Sequence, residues 1–424
     1  MGIGVTNLSV QPQGPQPPVV VLVDAFSTGA MLAREAAGHY RVVHVRSRDL
    51  VPATFAASLP TEVFAEDLTY PGHTEEVLRR LAALEPMAVI PASEFGVEAA
   101  DEIAARLGLR GNDAARSAAR RDKYLMMEAL AAAGVRSSRQ CHGAELGPLL
   151  AWRRAAGLER VVVKPLDSAG SDDVYTCDTE QEVAAAFEAV IGKTNLMLRT
   201  NETVLVQEYL DGDEYIVNTV SRDGTHWFTD AWISRKTVQD GKRKVYDSED
   251  LLAPDDPAID RIFPYVSDCL DALGITDGPA HSELILTASG PVLLETGARL
   301  SGLANPEALD RCTGANQVGL TLDCYTPRAE TLTRRPVRYP QLEQARCVNL
   351  VARREVPLDT GRIQAELGRL AAFESVRFRV ADGAPTVRTV DLNSSPGAVF
   401  LVHGNQAEID RAHKELRELE HELL

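Results

Sequence analysis

The sequence predicts an α/β domain followed by a larger α+β region, and three observations carry that expectation. Short apolar strands alternate with helical stretches through about residue 112, the pattern of a parallel, doubly wound sheet. After residue 160, apolar runs separated by turn residues dominate, as in antiparallel hairpins. At 424 residues the chain exceeds a single core, so two or three domains are expected.

Residues 1–18 include a Pro/Gln-rich stretch and read as a mobile leader. Residues 19–112 form the first domain, with strands at 19–23, 41–45 and 89–91. The turn after the first strand is not GxGxxG, which disfavours an NAD-dependent enzyme. Residues 113–325 form the second domain. It opens on one helix at 113–133, closed by Gly134. Strands follow at 161–165, 174–176, 203–209, 215–221, 225–234, 281–287 and 291–295, with helices at 180–191 and 255–273. Pro and Arg content rises from residue 326, as in a linker. Residues 326–424 then carry strands near 345–353, 375–380 and 399–404 and a closing helix at 406–424, whose charges read as a solvated face.

Composition excludes several classes. A formal net charge of −17 disfavours nucleic acid as a partner, since phosphate backbones are held by excess Lys and Arg. It leaves room for a small polyanion held by a few focused cations and a metal. No run is apolar enough to span a bilayer, and the N-terminus lacks a secretory signal pattern. Six cysteines without a CxxC pair argue against zinc or a disulfide framework and fit a reducing cytoplasm.

The most informative stretch is the pair of apolar runs flanking Ser289-Gly290, with Glu283 on one and Glu295 on the next. A hairpin there brings both carboxylates to one spot. Side by side they repel unless a hard divalent cation lies between them. Arg299 follows one short step later as a phosphate or carboxylate clamp. Taken alone, the same pattern also fits two surface glutamates beside a turn.

Lys164 ends a run of three valines. A lysine closing a buried strand is costly unless its ammonium meets an anion, although snorkelling at the core edge is the simpler alternative. The small-residue loop Asp167-Ser-Ala-Gly-Ser171 can lay backbone N–H groups over a phosphate chain. Residues 204–210 form an apolar strand whose last peptides offer a donor–acceptor edge to adenine, and Glu214 lies within reach of a ribose. A plain strand–turn–strand fits those residues equally. His281 shares the face of Glu283 and either orients a substrate or packs in the core. In the basic run 234–244, Arg235 and Lys236, at a strand end, are candidates for the γ-phosphate or a substrate carboxylate, against a bland solvated loop. Arg311 is a candidate for a second carboxylate.

Taken in order, the Asp-Lys at the start of a helix, Val-Lys-Pro with its small loop, Gln-Glu-Tyr-Leu-x-Gly-x-Glu and the paired glutamates with Arg resemble the ATP-grasp superfamily. Val23-Asp-Ala-Phe-Ser-Thr-Gly-Ala30 and Glu295-Thr-Gly-Ala-Arg-Leu-Ser-Gly302 look like its L-amino acid ligases, carboxylate–amine ligases that build dipeptides. Ser395-Pro-Gly-Ala-Val-Phe-Leu-Val-His403 looks like the C-terminal domain shared with biotin carboxylase-like members.

The resemblance implies an ATP-grasp fold and an ADP-forming ligase that uses ATP and one or two Mg²⁺ ions through an acyl-phosphate. It implies small carboxylate and amine substrates, and homodimers are common among relatives. Lys123 and Lys164 would hold the α/β-phosphates, and Ser168, Gly170 and Ser171 the phosphate loop. Gln207, Glu208, Tyr209 and Leu210 would line the adenine, and Glu214 the ribose. Glu283 and Glu295 would bind Mg²⁺, Arg299 the acyl-phosphate, and Gly302 would border the substrate. Where many members carry an Asn metal ligand, this chain has Gly297, which thins the shell of a second ion. The alternatives are an acceptor other than an amino acid, a carboxylase subunit, or an ATP-binding module without catalysis.

Overall fold

In the computed structural model the described residues are 17–168, 170, 172–239, 243–302 and 304–424, so most of the leader falls outside them. Val19–Val23 (β1) is five apolar residues, all buried, as befits a strand covered on both faces. With Arg41–Arg46 (β2), Phe64–Thr69 (β3) and Ala88–Pro91 (β4) it builds a parallel sheet in the order β3-β2-β1-β4. Sequence reading passes over β3 because its residues alternate half-buried with exposed and form no apolar run.

The helix Thr28–Ala37 packs against this sheet at Gly29, where a Cβ would lie 2.2 Å from the carbonyl oxygen of Ala92. Gly29→Ala is therefore expected to destabilise this region by about 1–3 kcal/mol. Thermal unfolding of the variant beside Gly147→Ala, where a Cβ meets open space, checks this.

Gln140–Gly143 (β5), Val161–Lys164 (β6), Tyr175–Cys177 (β7) and Val204–Glu208 (β8) form a small antiparallel sheet ordered β5-β8-β6-β7. Helices Leu146–Ala155 and Glu180–Val190 close over its core of Leu149, Val161, Val163, Val183 and Val206. A Thr179/Glu182 capping box starts the second of these helices.

The largest sheet has eight strands: Asp213–Arg222 (β9), Thr225–Gln239 (β10), Arg243–Leu251 (β11), Gly278–Thr287 (β12), Gly290–Gly297 (β13), Gln344–Asn349 (β14), Phe373–Phe378 (β15) and Gly397–His403 (β16). Their order is β13-β12-β9-β10-β11-β14-β16-β15, antiparallel throughout, so the last three strands of the chain extend the central sheet. Helices Lys123–Ala132 and Ile259–Ala272 share its main core, and Gln406–Leu423 covers the C-terminal strands.

Two sequence expectations need correction. The basic run 234–244 is not a loop: β10 continues to Gln239 and β11 starts at Arg243, because β-branched and aromatic residues alternate with the charges. Residues 240–242 lie outside the described residues. The single helix at 113–133 is instead a 3₁₀ segment, Ala114–Arg120, followed by the α-helix Lys123–Ala132. Asp122 separates them, its carboxylate accepting from the backbone N–H groups of Tyr124 and Leu125. All six cysteines are free thiols, and no helix among the described residues is long and apolar enough to cross a membrane.

Candidate active site

The β12–β13 hairpin pairs Glu283 directly with Glu295, which puts both carboxylates on one face of the sheet. Lys123, first residue of its helix, places Nζ 2.6 Å from Glu295 Oε2 and donates to the carbonyl of Ser168 at 2.8 Å. Lys164 closes β6 and is only 6% exposed. Burial, and then the like charge of Lys123, push its ammonium down to about 8 against the pull of Glu295 and Glu283. Burial alone would raise the Glu295 carboxyl, but Lys123, with Lys164 and Arg299, holds it well below the usual carboxylate range. Burial also lowers the Arg299 guanidinium, which Glu295 and Glu283 partly offset. Three cations thus converge on two carboxylates, a balance suited to a bound polyphosphate.

The loop after Lys164 is tied at both ends. Ser168 donates to Asp172 at 2.7 Å, and the carbonyl of Gly170 accepts from Asn393 at 2.8 Å. Gly170 has φ 68°, and a Cβ there would lie 2.9 Å from Asn393 Oδ1. Ser171 lies outside the described residues.

On β8, Gln207 is buried and its amide reaches Gln140 Oε1 at 3.5 Å. The Glu208 carboxylate accepts from Arg139 N at 3.0 Å and Nε at 2.7 Å. The Arg160 guanidinium lies 5.1 Å from the ring centre of Tyr209, and Leu210 is half-buried beside it. Glu214 accepts from Lys236 at 2.7 Å and from the Tyr246 hydroxyl at 2.9 Å, so these two predicted residues meet each other.

Not every candidate joins the cluster. Arg235 is half-exposed, with Asp250 3.7 Å away, and Arg311 is half-exposed in an ion pair with Glu343 at 2.9 Å. Gly302 offers its carbonyl to Arg377 at 3.3 Å. His281 is held between Asn218 Oδ1 at 2.8 Å and Glu283 Oε1 at 3.1 Å, a brace for that carboxylate.

Sequence reading missed Glu94. It follows β4 at the carboxyl end of the parallel sheet, where ligands of such sheets bind, and that position was its one available signal. Its carboxylate pairs with Arg121 and accepts from Arg299 Nε at 2.5 Å. A Cβ at Gly297 would lie 2.9 Å from Glu94 Oε2 and 3.1 Å from the guanidinium carbon of Arg299. Glu94 and Arg299 therefore fill the space a side chain at 297 would take.

No cluster of three His, Cys, Asp or Glu among the described residues is placed to hold a metal alone. Two carboxylates fit Mg²⁺, which takes the rest of its shell from phosphates and water. Lys123 beside Glu295 shows that this carboxylate accepts a cation.

Two antiparallel sheets meeting at paired carboxylates and two lysines define the ATP-grasp class, and the ATP-grasp domain family matches residues 159–307. The chain is 32% identical over 413 residues to dapdiamide A synthase of Enterobacter agglomerans, covering 95% of this chain and 96% of that protein. It belongs to the ATP-grasp ligases, and it is an ATP-dependent carboxylate–amine ligase.

The solved L-amino acid ligase from Bacillus licheniformis shares the fold with a TM-score of 0.71 and 18% identity, over 95% of this chain and 98% of that one. The biotin carboxylase domain of a Hydrogenobacter thermophilus 2-oxoglutarate carboxylase, solved with MgADP, has a TM-score of 0.61 and 14% identity, over 93% and 89%.

Proposed function

We propose that the chain phosphorylates a small carboxylate with ATP and joins the acyl group to an amine, both substrates being amino acids or close analogues. The observation that carries this reading is the convergence of Lys123, Lys164 and Arg299 on the Glu283–Glu295 pair. The likeness to dapdiamide A synthase supports amide formation.

In this reading Lys123 and Lys164 hold the nucleotide phosphates under the loop that includes Ser168 and Gly170, and the strand end at 207–210 receives the adenine. Glu283 and Glu295 would hold one or two Mg²⁺ ions, which neutralise phosphate charge when bound. A substrate carboxylate oxygen attacks the γ-phosphorus and ADP leaves. The amine nitrogen then attacks the acyl carbon and phosphate leaves. Arg299 stabilises charge on the transferring group, so positioning and electrostatics suffice without a protein nucleophile.

Release of ADP and phosphate, measured over a panel of amino acids singly and in pairs with mass spectrometry of products, tests the reading. Turnover that needs a carboxylate and an amine together, with a product lighter than their sum by one water, is the expected result. AMP and pyrophosphate would refute it, and turnover that follows bicarbonate alone would move the chain to the carboxylase-type branch.

A further inference from the structure

A second cleft, about 350 Å³ of space that includes open solvent, borders the segment that carries Arg299. Ser301 and Ala304 form one wall, and Asp230, Trp232, Glu249 and Cys347 contribute to the others. Trp232 of β10 aligns with Ile216 of β9, which aligns with Glu283 of β12. At about 4.8 Å between strands, the lining runs from Ile216, one strand and about 5 Å from Glu283, to Trp232, about 10 Å away. That span suits one small substrate laid beside an acyl-phosphate.

Two buried carboxylates line this cleft, and no described cation lies within ion-pair distance of either. They differ in what they can still accept. Asp230 is filled by Asn218 at 2.5 Å, by Trp232 Nε1 and by Thr229 at 2.8 Å. Glu249, 3% exposed, meets the Asn349 amide at 3.2 and 3.3 Å and accepts from the Cys347 thiol, which still leaves acceptor sites free. Ser234, its direct partner on β10, stands in the same row between Glu249 and Glu214. The Ser234 hydroxyl is buried without a hydrogen-bond partner among the described residues. A buried acid with spare acceptor capacity and an orphan hydroxyl beside it mark a place for a ligand that donates hydrogen bonds and carries positive charge.

We infer that this cleft receives the amine substrate as its ammonium and that Glu249 is the proton acceptor that frees the amine for attack. The inference rests on the ligase reading above and adds the residue that activates its second substrate. One N–H proton passes to a Glu249 oxygen, and the nitrogen lone pair forms the C–N bond to the acyl carbon. The C–O bond to phosphate breaks, phosphate leaves with that electron pair, and a second nitrogen proton goes to the departing phosphate. The product is the amide, with Glu249 protonated.

The environment of Glu249 fits that task. Burial raises its carboxyl to about 8, the Asn349 amide and Arg379 pull it back, and Glu214 pushes it up. Burial also keeps the neighbouring Cys347 a neutral thiol. At that value the empty site holds Glu249 mostly as the neutral acid near pH 7, and an ammonium bound beside it favours the carboxylate that accepts the proton.

Hydroxylamine, uncharged near neutral pH, captures an acyl-phosphate without a base, so it separates the two half-reactions. In Glu249→Gln the ratio of hydroxamate to amide formed is expected to rise by about 100-fold or more. Amide formation by the variant should recover as pH rises and solution deprotonates the amine. Equal loss of both products, or no loss of either, overturns the inference. Should Glu249→Gln not fold by circular dichroism, Glu249→Asp, which shortens the reach, must show the same selective loss or the inference fails. Absence of hydroxamate from the native enzyme with every carboxylate overturns the ligase reading itself, and this inference with it.

Discussion

Glu295→Gln is expected to slow carboxylate-dependent ADP release by about a thousand-fold. The change keeps shape and removes one charge, so the fold should persist while the site's balance does not. Glu295 is the partner of Lys123 at 2.6 Å, and it also acts on Lys164 and Arg299. Without it, those three cations face Glu283 alone and repel one another. The proposed cation site keeps one carboxylate, so half-maximal activity should also need more Mg²⁺ than in the native protein. Initial rates of ADP release over a Mg²⁺ series measure both effects. A variant within tenfold of native at every Mg²⁺ level would remove the carboxylate pair from the proposed site.

The second large effect belongs to Lys164. Lys164→Met removes the buried ammonium with little change in volume and is expected to weaken nucleotide binding about 100-fold near neutral pH. Native binding should also depend on pH. The folded ammonium is held at about 8, lowered from 10.5, so the charged form that meets phosphate is complete below about 8. Above that, each bound nucleotide must draw a proton onto Lys164, and affinity falls up to tenfold per pH unit. For stability the sign reverses: burying the ammonium costs stability below about 8, and the cost is relieved as pH rises from 8 towards 10.5. Calorimetric titration with ATP across this range should show rising proton uptake in the native protein and none from this residue in Lys164→Met. A flat profile in the native protein would place Lys164 away from the phosphates.

The fold was legible where chemistry is local. β1 declares itself by consecutive valines and leucine, and the β12–β13 hairpin by two apolar runs around Ser289-Gly290. The convergence of Glu283, Glu295 and Arg299 follows from that one hairpin, since a single register sets the carboxylates opposite each other. Lys164 was legible because a lysine ending a run of valines has few cheap placements.

The rest depended on distance in sequence. Glu94 reaches Arg299 across 205 residues, and Glu249 meets Asn349 across 100, so nothing in either neighbourhood announces the contact. β3 and β11 were hidden by their charged residues, which mimic loops when read without their partners. Arg235 and Lys236 sat together in one basic run, yet a bulge between them sends Lys236 to Glu214 and leaves Arg235 beside Asp250. Adjacent residues on a strand face opposite ways, and only the register says which one faces the site.

In the proposed reaction a substrate carboxylate becomes an acyl-phosphate before the amide forms. Transfer of oxygen from carboxylate to phosphate tests it most directly. With the carboxylate substrate labelled with ¹⁸O on both oxygens, mass spectrometry of the phosphate released during amide formation should find one ¹⁸O in each phosphate, and one in the amide. Unlabelled phosphate, or label carried into AMP, would contradict the account.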